Sequence, residues 1–425
     1  MYKKLGRSDP LLAHGKAGEW CRILTMTLAL LLATVFTAFT LAAPFGKLYG
    51  NSSLHAPLRF TSNGTFQISI FGDLHFGENA WSFGPQADIA SVGVMNSILD
   101  TEPQQLIVLN GDLITGENTF LENSTHYFDQ LVGPLVQRDL TWASTYSNHD
   151  SSFNLSRHGI LARERRWPNA RTTQMVFGNE SGVSNYYLLV YPSDGSDVPC
   201  MILWFFDSRG GFYYQQRNAT GELIGQPDWV DESVVRWFED TNAKLTTEYS
   251  RTIPSLAFVH IPTNASLALQ TKAGVDANHQ PGINDDYPLA QQAQGWCPDD
   301  SNTSSCEYGG QDVPFMEAIT STPGLMAVFS GHDHGDTWCY KWDTLLPSMT
   351  VKGNGVNLCF GQHSGYGGYG SWTRGSRQVL ITECMLQNLE LDTWIRLETG
   401  DVVGSVALNS TYGNDYYPAT PNTHT

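Results

Sequence analysis

The sequence predicts an α/β protein built of sheets covered by helices. Three observations carry that reading. Short, continuous apolar runs recur and each ends in polar residues. Amphipathic helical stretches lie between them. Aromatic residues make up 12% of 425 residues, which excludes disorder as the main state. A run that is apolar at every position, rather than at alternate ones, is a strand buried on both faces.

The runs come in this order. Phe66–Phe71 leads into Gly72-Asp73-Leu74-His75, and Leu106–Leu109 into Asn110-Gly111-Asp112. Thr141–Ala143 precedes Ser147-Asn148-His149-Asp150, and Met201–Phe206 reaches Asp207. Leu256–Val259 reaches His260-Ile261-Pro262, and Leu325–Phe329 reaches Ser330-Gly331-His332-Asp333-His334. Between them, Ile89, Val92, Met95, Ile98 and Leu99 share one helical face, and Tyr127, Phe128, Leu131, Val132, Leu135 and Val136 another. Pro227-Asp228 opens a third helix, with Val230, Val234, Trp237 and Phe238 turned inward. Strand and helix alternate, which favours one layered domain over residues 60–405, after a linker at 44–59. Residues 264–311 are polar and rich in Gly, Pro and Asn, and read as a surface insertion. Residues 406–425 read as a flexible tail.

The formal charge is −18, so nucleic acid and anionic membrane surfaces are poor partners. Lys3, Lys4, Arg7, Lys16 and Arg22 precede an uncharged, mostly apolar run from Ile23 to Ala43. Residues 1–43 are therefore expected to be a signal peptide, or a signal anchor that would supply the only membrane contact. Asn51, Asn63, Asn123, Asn154, Asn179, Asn218, Asn264, Asn302 and Asn409 each begin an Asn-x-Ser/Thr sequon. Beyond Cys21, six cysteines remain, with Cys297–Cys306 the first pairing to expect and Cys339–Cys359 the second. Cys200 and Cys384, in or beside apolar strands, leave open the reading of buried free thiols. Together these features predict a glycosylated, disulfide-bearing protein of the secretory pathway: extracellular, vacuolar, or anchored as a type II membrane protein.

The polar ends of the runs carry the chemistry. In open α/β sheets the carboxyl ends of strands point into one crevice, where ligands bind. Asp73, His75, Asp112, Asn148, His260, His332 and His334 bring imidazole, carboxylate and amide donors to that place, enough for two metal ions. Such donors without thiolate suit two divalent ions such as Mn, Fe or Zn. Two ions some 3.5–4 Å apart can clamp the oxygens of a phosphate during in-line displacement.

The series Asp73-x-His75, Gly111-Asp112, Asn148-His149-Asp150, His260 and Gly331-His332-x-His334 resembles the calcineurin-like metallophosphoesterases. It is most similar to their small purple-acid-phosphatase-like group from fungi and plants. Trp204-Phe205-Phe206-Asp207-Ser208, Leu358-Cys359-Phe360-Gly361 and Gly365-Tyr366-Gly367-Gly368-Tyr369-Gly370 add to the likeness. It implies an αββα sandwich of two mixed sheets flanked by helices. It also implies that Asp73, His75, Asp112 and His334 hold one metal and that Asp112, Asn148, His260 and His332 hold the other. His149 would protonate the leaving oxygen, with Asp150 orienting it. Two positions depart from the true purple acid phosphatases: His75 stands for Gly, and Thr115 for the tyrosine ligand, which predicts no purple charge-transfer band. Ser147 also replaces the usual Gly before Asn148. Glu117 and Asn118 read as a turn, His363 and the Gly/Tyr run as the mouth of the site, and Arg374 and Arg377 as surface residues.

The resemblance implies a phosphatase that hydrolyses phosphate monoesters with a dinuclear metal centre and a bridging hydroxide. The alternatives are a phosphodiesterase or nucleotide pyrophosphatase with the same site, and a non-catalytic exported binding protein. The sequence leaves the oligomeric state open.

Overall fold

The computed structural model describes residues 56–116, 118–151, 154–290 and 308–425. The leader, Asn51, Glu117, Cys297, Cys306 and Asn302 lie outside them. All the described residues belong to one unit, His55–Thr425.

The first half runs β1 (Leu58–Arg59), β2 (Thr65–Phe71), α1 (Gly84–Leu99), β3 (Leu106–Asn110), α2 (Ser124–Gln137), β4 (Trp142–Thr145), α3 (Arg157–Glu164), β5 (Tyr186–Tyr191) and β6 (Met201–Phe206). There follow β7 (Phe212–Arg217), β8 (Leu223–Gly225), α4 (Glu232–Tyr249), β9 (Ser255–Val259), α5 (Asn264–Ala268), α6 (Val313–Ser321) and β10 (Leu325–Ser330). The last elements are β11 (Cys339–Trp342), β12 (Val356–Phe360), β13 (Gly375–Thr382), α7 (Glu383–Asn388), β14 (Leu391–Leu397) and β15 (Val402–Leu408).

Two mixed sheets result. One has the order β1-β5-β6-β9-β10-β12-β11 and the other β15-β14-β13-β2-β3-β4. Their parallel centres, β6-β9-β10-β12 and β2-β3-β4, are the strands whose ends carry the polar motifs. The continuous apolar runs follow from this layering. In β6, Met201, Leu203 and Phe205 enter the core shared by the two sheets, while Ile202, Trp204 and Phe206 enter the core under α4 and α6. In β3, Leu106 and Val108 face the shared core, while Ile107 and Leu109 pack with residues of α1, α2 and α3. Each of these residues buries apolar area worth about 25 cal/mol per Å² on one face or the other, so both faces of these strands favour apolar side chains. The αββα expectation is met.

Several expectations need correction. On α1 the buried face is Asp88, Ser91, Val94, Met95, Ile98 and Leu99, while Ile89 is exposed. Gly77 N donates to Asp88 at 3.1 Å, which fixes that face inward. α4 begins at Glu232, not at Pro227-Asp228, because Asp231 supplies the cap and accepts from Ser233 N at 2.9 Å. The linker expected at 44–59 already contains β1, which pairs in parallel with β5. The segment expected as a surface insertion begins with α5 and buries Ala265, Ala268 and Leu269 against the outer core. The tail is anchored rather than loose: β15 continues to Leu408, Tyr412 is buried, and its hydroxyl donates to Cys339 O at 2.7 Å. Cys339 and Cys359 face each other in the β11–β12 ladder and are disulfide-bonded, whereas Cys200 and Cys384 are free.

Candidate metal centre

Five strand ends converge. Asp73 and His75 follow β2, Asp112 follows β3, Asn148 and His149 follow β4, His260 follows β9, and His332 and His334 follow β10. The loops are tied together by backbone bonds, with Leu74 N and His75 N both donating to Asp112 O and Gly331 N to His260 O. Asp73, His75, Asp112 and His332 all sit at positive φ, 54°, 48°, 48° and 77°. Left-handed backbone is uncommon for such residues and costs strain, so four such residues on three converging loops mark a functional site. Gly111 and Gly331 allow the closeness: a Cβ on Gly111 would lie 2.5 Å from the His260 ring, and one on Gly331 2.7 Å from Asp73 Oδ2.

The donor atoms fall into three overlapping groups, Asp73/His75/His334, His75/Asp112/His149 and Asp112/His260/His332, each with its atoms within 4.8 Å of one another. Asp112 belongs to two of them. Its Oδ1 accepts from Ser147 Oγ at 2.5 Å and from His149 N at 3.0 Å, which turns Oδ2 toward His260 Nε2 at 3.0 Å. His334 Nε2 lies 3.4 Å from Asp73 Oδ1 and 3.3 Å from His75 Nε2. Asn148 Oδ1 is buried with no hydrogen-bond partner, and His260 Nε2 makes no hydrogen bond of good geometry although Asp112 Oδ2 lies 3.0 Å away. Orphaned polar atoms at the meeting point of imidazoles and carboxylates are what a metal-ligand set looks like.

Electrostatics put Asp73, Asp112, His75 and His332 in ligand form. Burial raises the Asp112 carboxyl, but His260, His149 and His75 outweigh it and hold it well below the usual range. The same contest, with His260 and His334, lowers Asp73. Burial drives His75 well below its ordinary value and, with His260, takes His332 down to about 3, so both rings are neutral with a free lone pair. His260 goes the other way, up to about 9: burial opposes the charge, but Asp112 and Asp73 prevail. The two carboxylates thus draw one positive charge to their centre.

Supporting residues include several that sequence reasoning did not assign. Thr115, noted there only as a missing tyrosine, bonds His75 Nδ1 through Oγ1 at 3.2 Å. Ser147, noted only as a replaced glycine, links Asp112 to Asp150. Asp150 accepts from Leu113 N, Ile114 N and Ser147 N, so it fixes the loop on which His149 stands. Burial, then Asp112, pushes its carboxyl up to about 7. Arg157 donates to Ser147 O at 2.7 Å and Gly210 O at 3.0 Å, bracing the same loop. Tyr369 stacks on His334 at 4.0 Å between ring centroids, and its carbonyl bonds His334 Nδ1 at 2.9 Å. The Gly/Tyr run was the available signal for it. Gly368 must lack a side chain, since a Cβ would come within 2.4 Å of His334.

His363 is not at the mouth. It is buried, with its ring 3.9 Å from that of His334. Arg374 and Arg377 are also buried, and Arg377 donates to the carbonyls of Phe360 and Thr337. Asn118 N bonds Thr115 O, as a turn requires. A cavity of about 830 Å³ lined by Ser151, Arg157, Phe177, Tyr213 and Tyr214 adjoins the His149 loop but contains none of the donors.

Residues 66–336, which hold every one of these donors, match the calcineurin-like phosphoesterase family. The chain belongs to that family. Among curated relatives of this phosphoesterase, "Phosphatase DCR2" of Saccharomyces cerevisiae is 25% identical over 354 residues, covering 80% of this chain and 55% of the yeast protein. The chain thus spans about half the length of that relative. "Probable inactive purple acid phosphatase 14" of Arabidopsis thaliana is 24% identical, covering 80% of each chain. A dimetal phosphatase structure from Danio rerio aligns with a TM-score of 0.47 at 13% identity, over 81% of this chain and 98% of its own.

Proposed function

We propose that this phosphoesterase hydrolyses phosphate monoesters with two divalent cations. Asp73, His75, Asp112 and His334 would hold one, and Asp112, Asn148, His260 and His332 the other. The observation that carries the reading is Asp112: its carboxylate is common to two donor groups and is aimed by Ser147 and His149 N. When bound, such cations neutralise phosphate charge and activate water at neutral pH.

The chain's own part is positioning and proton transfer. Thr115, Tyr369 and Asn110 O hold the far nitrogens of His75, His334 and His260, which leaves each Nε2 for the centre. His149 is half-buried and its ring centroid lies 4.9 Å from that of His75, so its ring reaches a substrate held at the donor groups. It gives a proton to the departing alkoxide as the P–O bond breaks, while water supplies the new P–O bond. The products are phosphate and an alcohol. The adjective in the names of the plant relatives belongs to those proteins; the full donor set here favours turnover.

The test is metal content together with rates on a chromogenic monoester and diester. Two ions per chain and a monoester rate well above the diester rate are expected. A reversed ratio would make the protein a diesterase, and turnover that survives both chelation and Asp112→Asn would sink the two-cation mechanism.

We also infer export. Supporting it are the apolar run 23–43 after its basic start and the exposure of sequon residues Asn63, Asn123, Asn179 and Asn218. Among the described residues no helix is long and apolar enough to cross a membrane. A mobility shift on deglycosylation, and a new amino terminus near residue 43, would follow; a non-glycosylated product from a secretory host contradicts the inference.

A further inference from the structure

Phe177 is 78% exposed, and two residues later Asn179, also exposed, opens the sequon Asn179-Glu180-Ser181. Both residues line the cavity of about 830 Å³ beside the His149 loop, so the aromatic ring and the glycan acceptor border one void. The backbone bends between them and Ser181, whose Oγ donates to Gly178 O at 3.1 Å. Tyr213 and Tyr214 of β7 line the same cavity. The β7–β8 pair forms a sheet of its own, and every β7 residue except Tyr213 is exposed. A lone two-stranded hairpin is marginal in water. Tyr213 OH ties this one to the sequon by donating to Glu180 Oε2 at 2.5 Å, and Ser151 Oγ donates to Phe212 O at 2.7 Å.

The lining chemistry selects the occupant. The three rings offer flat apolar faces, and Gln174 and Gln216 add amides that both donate and accept. A sugar ring, with a C–H face and hydroxyls, matches both. Charge does not select, because the Arg157 guanidinium is committed to Ser147 O, Gly210 O and Gln226 Oε1, and Glu180 accepts from Tyr213. The volume suits a ligand of several rings.

We propose that this cavity seats the glycan carried by Asn179, its first sugar stacked on Phe177 and flanked by Tyr213 and Tyr214. The proposal rests on the export inferred above, since sequons are glycosylated in the secretory pathway. The bond forms there when Asn179 Nδ2, losing a proton, displaces a lipid diphosphate from the anomeric carbon of the donor sugar. Once attached, the glycan is held beside the cavity at high effective concentration, so weak ring contacts suffice to seat it. It would brace β7–β8 against residues 174–183 and fill the space bordered by Arg157, which holds the His149 loop.

The full chain, made in a secretory host, provides the test. Glycopeptide mass spectrometry should find Asn179 occupied. Amide hydrogen exchange in residues 174–183 and 212–217 should be slower than in Asn179→Gln by about threefold or more. Phe177→Ala should abolish that protection in the glycosylated protein and change little in an Asn179→Gln background. In an Asn218→Gln background, which removes the sequon at the hairpin's turn, the effect of Phe177→Ala should persist. Phe177, Asn179 and Asn218 are all exposed, so the variants should fold. Glycans at Asn63, Asn123 or Asn218 with Asn179 bare would overturn the seat and leave export standing, whereas bare sequons throughout would overturn both. An occupied Asn179 whose removal adds independently to Phe177→Ala would overturn the seat alone.

Discussion

Asp73 and Asp112 are buried among His75, His260, His332 and His334, and both carboxyls are held below the ordinary carboxylate range although burial pushes the other way. Asp333 and Asp336 are equally buried, on the loop that bears His334. There burial and neighbouring acids act together, raising Asp333 to about 7 and Asp336 to about 9. Residue type and burial are the same in the two clusters, so neither sets the outcome. The counter-charge does. A carboxylate ringed by imidazoles stays ionised and presents a mixed nitrogen and oxygen donor set, whereas one ringed by acids is driven to hold its proton.

The largest expected effect lies in the first cluster. Asp112→Asn removes the shared charge while keeping an oxygen for Ser147 and His149 N, so the fold should survive. Monoester kcat should fall about 10³-fold or more and metal content should drop, read by steady-state kinetics and elemental analysis. If kcat holds, the cluster is not the reaction centre. His149→Ala should lower kcat about 10²-fold with metal content unchanged. The loss should be smaller for a nitrophenyl leaving group, which needs no proton, than for an alkyl phosphate. An equal loss on both esters would assign His149 to charge stabilisation alone.

The second cluster is followed closely by Cys339, whose bond to Cys359 closes a loop of 20 residues. Replacing both cysteines by Ala should cost about 3 kcal/mol, seen as a lower melting temperature.

The parallel half of each sheet was legible because burial on both faces favours continuous apolar runs, as in Met201–Phe206 and Leu106–Leu109. The antiparallel strand β13 was not, because Ser376, Arg377 and Gln378 stand in its buried interior. Gln378 Oε1 accepts from Ser69 Oγ at 2.6 Å and Gln67 Nε2 at 3.3 Å, and Arg377 is satisfied by carbonyls of other segments. Polar residues paired across the sheet read in sequence as a loop. The donors of the metal centre were legible because each ends an apolar run, which places it without knowledge of the fold. Their props were not: Thr115, Arg157 and Tyr369 act through contacts from distant segments, and the opposed pair Asp333 and Asp336 is defined by what fails to contact it.

Asp88 offers the finest test of the counter-charge argument, because it is buried with a single backbone donor and no imidazole or acid cluster. Gly77 N donates to both its oxygens, at 3.1 and 3.3 Å. Burial raises it from its ordinary 3.8 to about 6, opposed by the Gly77 bond and reinforced by Glu78. The native state therefore binds this proton more tightly than the unfolded chain does. Stability from this group falls as pH rises through 3.8 toward 6, and the full cost is in place above that. Asp88→Asn keeps an acceptor for Gly77 but does not titrate. The melting temperature of Asp88→Asn relative to the unsubstituted protein should climb between pH 4 and about pH 6 and then level off. A difference that stays flat across that range would mean one backbone donor suffices to hold a buried carboxylate at its ordinary value, and the contrast between the two clusters would then need a cause other than counter-charge.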